Sequence, residues 1–539
     1  MKKLCFTSLL AIMACLAIAQ DQPKLIVGVV VDQMRQDYLY RYWDKFGDEG
    51  FKRLINEGHL CKNAHFNFIP THTGPGHATV YSGAQPKNHG IIANNWYERA
   101  SGDMVNCVSD PDQSSVGSEG DQGKISPHRM LAPTLGDAIR ISNQFKGKSI
   151  GISLKDRSAV LPIGHSGTAA YFIDHENGNF ISSSYYMDEL PKWMKTFNKQ
   201  KHADRLSRDG WEPMLAIERY TESTADDTPY ERVLTAEGRP VFPYDLPELN
   251  KEKGYYAFGT SPFGNTILRL LAEQAIINED LGQDAFTDLL SISFSSPDLA
   301  GHVFGPQSIE VEDVYLRLDE EIARLLTSLD ERVGKGEYLL FLTADHAAAP
   351  VHSYMKDNKI PAEYFDAKAF QEGMIAHLNE ALGEAEWVLN YSNQQVFLNQ
   401  DLMRSRKMEA KKVMEEVERY ALSFRGVAGV LSTKQLQHPL PDDQFSTAAK
   451  NGWNQLRSGD IVIQYLPGWM QHDGQGTSHG SSYNYDSHVP IIFFGKGIAH
   501  GVTLDPVDVT QIAPTVSVAA SIAFAMMSDR EVISGALKH

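Results

Sequence analysis

Four short apolar runs rich in β-branched residues most constrain how this chain can fold. The first run, Lys24–Val31, reads KLIVGVVV and is followed directly by an aspartate. Similar runs occur at Lys148–Leu154, Leu289–Phe294 and Tyr338–Thr343. Continuous apolar runs of this length are typical of strands that are buried on both faces of a parallel sheet. They therefore predict the interior strands of an α/β fold.

Stretches with helical periodicity alternate with these runs. Apolar residues recur at intervals of three and four in Phe51–Ile55, Thr134–Phe145, Asn265–Ile277 and Val311–Leu329. This alternation predicts a mostly parallel central sheet with helices on both faces. A late apolar run, Val489–Phe494, is expected to add a strand, and the helix-like sequence after position 508 is expected to complete the fold.

The alternation stops in two regions of the chain. Residues 165–255 are rich in polar and aromatic residues together with proline and glycine. Residues 355–470 carry their own helical pattern at Glu409–Leu422 and their own strand pattern at Ile461–Tyr465. We therefore expect residues 21–539 to form one domain in which both regions are insertions that form a cap beside the sheet.

The first twenty residues have the pattern of a secretory signal peptide. Two lysines precede the apolar run Leu4–Ala19, which ends in small residues and is too short for a membrane span. Cys15 is an alternative lipidation site, but its flanking sequence suits lipidation poorly. We predict an exported, periplasmic or secreted protein without a membrane span. After removal of residues 1–20, Cys61 and Cys107 remain, and the sequence does not decide whether they form a disulfide.

The charge balance limits the partners of this chain. Its 539 residues carry a formal net charge of −18. This acidity argues against nucleic acid or an anionic membrane surface as a partner, because both require lysine and arginine to neutralise phosphate. It does not exclude a small phosphorylated ligand held by a local group of cations. The sequence leaves the oligomeric state open, and we expect a monomer.

Acidic and histidine residues occur where the predicted strands end, and one more histidine lies in the segment 474–480 (GQGTSHG). Taken alone, each of these residues could have an ordinary structural role, such as that of a helix N-cap or a surface histidine. Ligands of open α/β sheets bind at the carboxyl ends of the strands, so these residues are expected to lie together. Three carboxylates and three imidazoles are enough to bind two zinc ions. The six candidate ligands are Asp32, Asp298, His302, Asp345, His346 and His479.

A threonine in the segment 70–79 (PTHTGPGHAT) is the candidate nucleophile. Thr73 precedes Gly-Pro-Gly and a helix-compatible stretch, which would place it at a helix N-terminus where the dipole favours an anion. Metal coordination would lower the pKa of its hydroxyl, so Thr73 is also a candidate metal contact. Two alternatives stay open: Thr73 only caps the helix, or Thr71 is the nucleophile.

These residues resemble the alkaline phosphatase superfamily, and most closely the periplasmic, phosphate-irrepressible bacterial alkaline phosphatases with a threonine nucleophile and broad specificity. The resemblance extends from Asp32 to the segment 508–515 (DVTQIAPT). It implies an alkaline-phosphatase-like α/β fold, a catalytic domain over residues 21–539, two zinc ions per chain and small phosphate monoesters of broad identity as substrates. It also implies a phosphothreonine intermediate on Thr73.

The resemblance divides the metal ligands into two groups. One group would hold the zinc that binds the nucleophile, and the other would hold the zinc that stabilises the leaving group. The first group is Asp32, Asp345 and His346, and the second is Asp298, His302 and His479. Histidines outside these groups, such as His72, His77 and His488, are interpreted as supporting or structural residues.

The resemblance also implies three phosphate contacts, and two of them bear on substrate class. Asn94 would donate to a phosphoryl oxygen, with Lys155 and Arg157 at the remaining oxygens. In an extended chain, a spacing of two places both cations on the same side. A monoester dianion favours two cations, whereas a diester has one charge and a second substituent there. One guanidinium–phosphate contact contributes about 1.5–3 kcal/mol. The alternative is a solvated Lys-Asp-Arg triplet.

Two other functions stay open. Nucleotide pyrophosphatases/phosphodiesterases of the same superfamily share the threonine motif and Asn94, and only Lys155 and Arg157 stand against them. A catalytically inactive protein that captures a phosphorylated ligand is a remote alternative, against which the complete ligand set and Thr73 argue. Sulfatases and cofactor-independent phosphoglycerate mutases fit less well, because they use cysteine or serine nucleophiles in other motifs.

Overall fold

The computed structural model describes residues 22–234, 238–438, 443–472, 474–523 and 531–538. The predicted signal peptide, residues 1–20, and Cys15 within it lie outside the described residues. Within the part of the chain that the structure describes, no helix is both long enough and apolar enough to cross a membrane.

An eleven-stranded sheet forms the centre of the fold. All seven residues of Leu25–Val31 are buried, and this strand pairs in parallel with both Asp288–Phe294 and Tyr338–Thr343. The late strand His488–Gly495 runs antiparallel to Tyr338–Thr343. The predicted α/β class with a mostly parallel central sheet is confirmed. From one edge to the other the strands are Gly501–Thr503, His59–His65, His488–Gly495, Tyr338–Thr343, Leu25–Val31, Asp288–Phe294, Ser149–Ser153, Ala169–Asp174, Asn179–Ser183 and Ser115–Val116, and Val507–Asp508 also pairs with His59–His65.

Helices pack on both faces of this sheet. Alternate side chains of Ala169–Asp174 enter two separate hydrophobic clusters, as expected for a strand covered on both sides. Phe263–Asn278 and Asp156–Ile163 both contact the strand Ser149–Ser153. The helices of six residues or more are Phe51–Glu57, Thr73–Ser82, Leu135–Ser142, Asp156–Ile163, Lys192–Lys199, His202–Ser207, Leu246–Lys253, Phe263–Asn278, Ser296–Phe304, Ile309–Leu329, His352–Asp357, Ala367–Leu382, Gln400–Ser405, Ala410–Ser423, Gln444–Gly452 and Ile512–Ala519.

The region 165–255 is continuous with the central sheet over its first part. Its strands Ala169–Asp174 and Asn179–Ser183 extend that sheet. Its later residues pack on the main hydrophobic cluster, with Trp211 and Tyr244 buried there. These two strands therefore belong to the central sheet, whereas the part of the region that follows Asn179–Ser183 lies outside it.

The region 355–470 builds a second, smaller sheet, which we call the cap sheet. Its four antiparallel strands enclose a hydrophobic cluster of their own, with helices Ala367–Leu382 and Ala410–Ser423 packed together on it. The strands in spatial order are Val388–Ser392, Gln395–Leu398, Ile461–Tyr465 and Val427–Ser432.

The two cysteines of the described chain are free thiols. Cys61 is buried in the strand His59–His65, whereas Cys107 is buried in a different hydrophobic cluster. The disulfide that the sequence left open is therefore absent from the described residues.

Candidate active site

Three aspartates meet at the carboxyl ends of neighbouring parallel strands. Asp32 directly follows Leu25–Val31, Asp345 follows the adjacent strand, and Asp298 lies in the first turn of the helix Ser296–Phe304. Their exposed fractions are 0%, 0% and 2%, respectively. Burying a carboxylate without a positive partner costs free energy, so the nearby positive charges decide what the site can bind.

Lys155 bridges two of these carboxylates. Its Nζ donates to Oδ2 of Asp32 at 2.7 Å and to Oδ2 of Asp298 at 2.6 Å. Burial lowers the pKa of Lys155, but the charges of Asp298 and Asp32 outweigh burial and raise it, so the side chain stays an ammonium. Burial, reinforced by the other two carboxylates, raises the pKa of Asp32 well above its usual range. Lys155 therefore does not offset the effect of burial and of the other two carboxylates on Asp32.

Three histidines complete the cluster with a common orientation. In His302, His346 and His479, Nδ1 donates to a backbone carbonyl at 2.8, 3.0 and 2.7 Å, respectively. These hydrogen bonds leave Nε2 without a proton in the neutral ring, with its lone pair available to a cation. Each Nε2 lies within 3.7 Å of a carboxylate oxygen of the cluster.

One group of donors surrounds two buried carboxylate oxygens that have no hydrogen-bond partner. These atoms are Oδ1 of Asp32 and Oδ2 of Asp345. Nε2 of His346 lies 3.6 Å from each of them. Ligand atoms of the three residues all lie within 4.8 Å of one another. Buried oxygens without partners beside an imidazole lone pair fit a divalent cation.

The second group centres on Asp298. Its Oδ1 lies 3.2 Å from Nε2 of His302 and 3.7 Å from Nε2 of His479. Asp298, His346 and His479 also bring ligand atoms within 4.8 Å of one another, and the last two rings stack with centroids 3.5 Å apart. His346 therefore lies close to both groups. Five of the six predicted ligands belong to these two groups, each of which fits a divalent cation. His302 is in neither group but lies beside Asp298.

The helix Thr73–Ser82 brings a hydroxyl to this donor set. Thr73 is its first residue, is 1% exposed, and has Oγ1 3.4 Å from Nε2 of His346. The hydroxyl of Thr71 instead donates to the carbonyl of Ser481 at 3.0 Å. This geometry favours Thr73 over Thr71 as the residue whose oxygen contacts a bound cation.

Asn94 lies beside Thr73 with a fixed amide orientation. Its Oδ1 accepts a hydrogen bond from the backbone N–H of Gly74 at 2.7 Å. The amide nitrogen is therefore free of that contact and can donate to an anion. Asn94, Thr73 and His479 line the same cavity of about 600 Å³.

Lys155 and Arg157 line this cavity too. The extended conformation predicted for both is found at Lys155, with φ −99° and ψ 136°, but is wrong for Arg157. Asp156 begins a helix, Asp156–Ile163, so Lys155 is its N-cap and Arg157 lies in its first turn. The Nε of Arg157 is buried and has no hydrogen-bond partner, and its Nη1 lies 3.5 Å from Asp156. A buried guanidinium with an unpaired donor at a cavity wall suits an anionic ligand.

Gln33 supports the carboxylates and was missed by the sequence analysis. Its side-chain amide donates to Asp298 at 2.6 Å, and its backbone N–H donates to Asp345 at 3.2 Å. These contacts accompany a φ of 65°, which glutamine rarely adopts. In the sequence, the position of Gln33 just after the first predicted strand was the only indication that it lies near the site.

The supporting histidines differ in how close they lie to the cluster. His77 donates to the carbonyl of Thr73 at 2.9 Å and lies 3.4 Å from Asp345. His72 packs edge-on against His479, with ring centroids 5.4 Å apart. His488 instead begins the strand His488–Gly495, and its Nε2 donates to the backbone carbonyl of Lys62.

Comparison with known proteins shows the family of this chain. The family model of type I phosphodiesterase / nucleotide pyrophosphatase matches residues 26–488. The chain is 41% identical over 508 residues to a protein of Myroides odoratus named calcium-transporting ATPase, covering 94% of this chain and 93% of that protein. It is 39% identical over 508 residues, with the same coverage, to the alkaline phosphatase PafA of Elizabethkingia meningoseptica.

Solved structures of PafA also align with this chain over nearly its whole length. The crystal structure of wild-type PafA aligns with a TM-score of 0.93 at 39% identity, over 96% of this chain and 99% of that one. A PafA variant with one threonine changed to serine, and one asparagine, one lysine and one arginine changed to alanine, aligns with a TM-score of 0.92 at 38% identity, with the same coverage. The fold is that of the alkaline phosphatase superfamily. Within it, the chain belongs to the type I phosphodiesterase / nucleotide pyrophosphatase family and is a homologue of PafA.

The position of Thr73 depends on close contact between its helix and the Asp345 backbone. A Cβ added at Gly76 would lie 2.1 Å from the carbonyl oxygen of Asp345. We expect Gly76→Ala to cost about 1–3 kcal/mol of stability through overpacking. Gly535→Ala is the control, since a Cβ there would make only ordinary contacts of 3.6 Å or more. Equal urea-denaturation midpoints for the two variants would contradict this packing.

Proposed function

We propose that this protein is an exported phosphate-monoester hydrolase, an alkaline phosphatase that uses two zinc ions and Thr73 as its nucleophile. The names of its relatives support hydrolysis of phosphate esters. The observation that carries the proposal is one cavity lined by Thr73, Lys155 and Arg157 together with the donors Asp298, His302 and His479. The donors Asp32, Asp345 and His346 lie together beside Thr73.

The proposal gives each zinc ion three protein ligands. Asp32, Asp345 and His346 would hold the ion next to Thr73. The ion on the leaving-group side would be held by Asp298, His302 and His479. When bound, the two ions lower the pKa of oxygen nucleophiles and stabilise the attacking and leaving oxygens of phosphoryl transfer.

Thr73 carries the covalent step. Its Oγ1 attacks phosphorus, the bond from phosphorus to the ester oxygen breaks, and the alcohol departs with a proton. Water then attacks the phosphothreonine, which releases inorganic phosphate and restores the hydroxyl. The position of Thr73 at the helix N-terminus favours the negative charge that develops there.

Asn94, Lys155 and Arg157 would hold the phosphoryl oxygens. The oriented Asn94 amide and the unpaired Arg157 Nε support these roles. The PafA variant offers further support, because its substituted threonine, asparagine, lysine and arginine are separated by 21, 62 and 2 residues. The same residue types in this chain, separated by 21, 61 and 2 residues, are Thr73, Asn94, Lys155 and Arg157.

A phosphodiesterase remains the second candidate, because the family model carries that name. The cations at the cavity wall favour the monoester. A monoester dianion presents three non-bridging oxygens and two charges to Lys155, Arg157 and Asn94. A diester presents a single charge and must place a second organic group in the cavity, where it would meet the buried guanidinium.

The ratio of monoester to diester turnover tests substrate class. We expect a higher kcat/KM for p-nitrophenyl phosphate than for bis(p-nitrophenyl) phosphate. Lys155→Ala combined with Arg157→Ala should lower the monoester value by roughly 10- to 100-fold per residue and the diester value far less.

The control for this experiment is Arg404→Ala combined with Lys411→Ala. Both side chains are mostly exposed, at 71% and 63%, and lie on the region 355–470. The control should leave both rates unchanged. Equal losses on the two esters in the Lys155/Arg157 variant would contradict the monoester assignment, and a faster diester reaction in the wild type would favour the phosphodiesterase.

The nucleophile can be identified by trapping the intermediate. Acid quenching during turnover of p-nitrophenyl phosphate should leave a phosphate on the peptide that contains Thr73, and fragmentation in a mass spectrometer would locate it. Thr73→Ala should remove the adduct and lower kcat by about 10³-fold or more. Thr71→Ala should keep both. Phosphate on Thr71, or an unaffected Thr73→Ala enzyme, would refute the assignment.

A further inference from the structure

The turn Asn393–Gln394 joins two strands of the cap sheet and reaches toward the core. Both residues have positive φ, 53° and 60°, as a two-residue hairpin turn with its right-handed twist requires. The turn lines a cleft of about 420 Å³ between the cap sheet and the core. Asn94 and His479 lie on the opposite side of that cleft and also line the cavity of about 600 Å³ that contains Thr73.

Asn393 contacts the segment that carries Asn94. Its side-chain amide donates to the backbone carbonyl of Asn95 at 2.7 Å. Further along the same segment, Arg99 donates to Asp460 of the region 355–470 at 2.6 Å. The segment that follows Asn94 is therefore attached to this region at two points, and the first of them is one residue from the proposed phosphate contact.

Gln394 contacts the loop that carries His479. Its side-chain amide donates to the backbone carbonyl of Gly480 at 3.0 Å. The backbone carbonyl of Gln394 accepts a hydrogen bond from Ile463 at 2.8 Å, so the residue is anchored in the cap sheet. Gly480 has a φ of +130°, in a region that favours glycine. The hydrogen bond limits where His479 can lie.

We propose that Asn393 and Gln394 are positioning residues that hold Asn94 and His479 in place from the cap side. The inference rests on the proposed function. Asn393 acts through the backbone of Asn95, which follows Asn94. Gln394 acts through the backbone of Gly480, which follows His479. Sites of this kind need their groups held to within a fraction of an ångström. The two contacts should have separable effects: Asn393 on phosphate affinity, and Gln394 on metal retention at His479.

Two glycine substitutions test the proposal, since glycine accepts the positive φ of the turn. Asn393→Gly should raise the dissociation constant for inorganic phosphate, measured by calorimetry on zinc-loaded protein, by roughly 3- to 10-fold with zinc content unchanged. Gln394→Gly should speed the loss of zinc to EDTA by a similar factor. The control is Lys407→Gly, an exposed position with a φ of 51° in the same region.

The proposal requires the two variants to differ from the control and from each other. If both match Lys407→Gly, or if both lose phosphate affinity and zinc equally, the positioning roles are refuted. Equal melting temperatures across the three variants would show that unfolding does not cause the effects. A wild type that binds zinc and phosphate but hydrolyses neither ester would overturn the proposed function and leave these binding tests intact.

Discussion

Three buried carboxylates at adjacent strand ends are the constraint on which the site depends. The parallel strands bring Asp32, Asp298 and Asp345 together, and the hydrophobic packing of the sheet keeps water away from them. A single ammonium, Lys155, partly compensates their charge. Each imidazole donates its Nδ1–H to a backbone carbonyl, which leaves Nε2 of the neutral ring available to a cation. This donor set requires further positive charge, and divalent cations supply it compactly.

The reactive groups are arranged around that cluster by two helix starts and by the region 355–470. Thr73 begins one helix, and Lys155 and Arg157 begin another, so the hydroxyl and both cations approach the same cavity with backbone N–H groups behind them. The cap sheet touches the core backbone next to Asn94 and His479. The central sheet therefore supplies the carboxylates of the site, and the two helix starts and the cap sheet surround them.

The sequence predicted the carboxylates at the strand ends better than the helix starts and loops that surround them. The interior strands could be recognised because buried parallel strands read as continuous apolar runs, and residues at their ends must meet at one edge. The conformation at Arg157 was mispredicted because Asp156 starts a helix where the pattern also suited an extended chain. Gln33 could not be predicted, since its contacts require a positive φ and partners that are 265 and 312 residues away.

The most direct test of this account is anomalous diffraction from crystals of zinc-loaded protein, recorded on both sides of the zinc absorption edge. The account predicts two zinc peaks per chain in the donor cluster. One should lie among Asp32, Asp345 and His346 next to Thr73, and the other among Asp298, His302 and His479. A single peak in protein shown to contain two equivalents of zinc, or peaks away from these side chains, would contradict it.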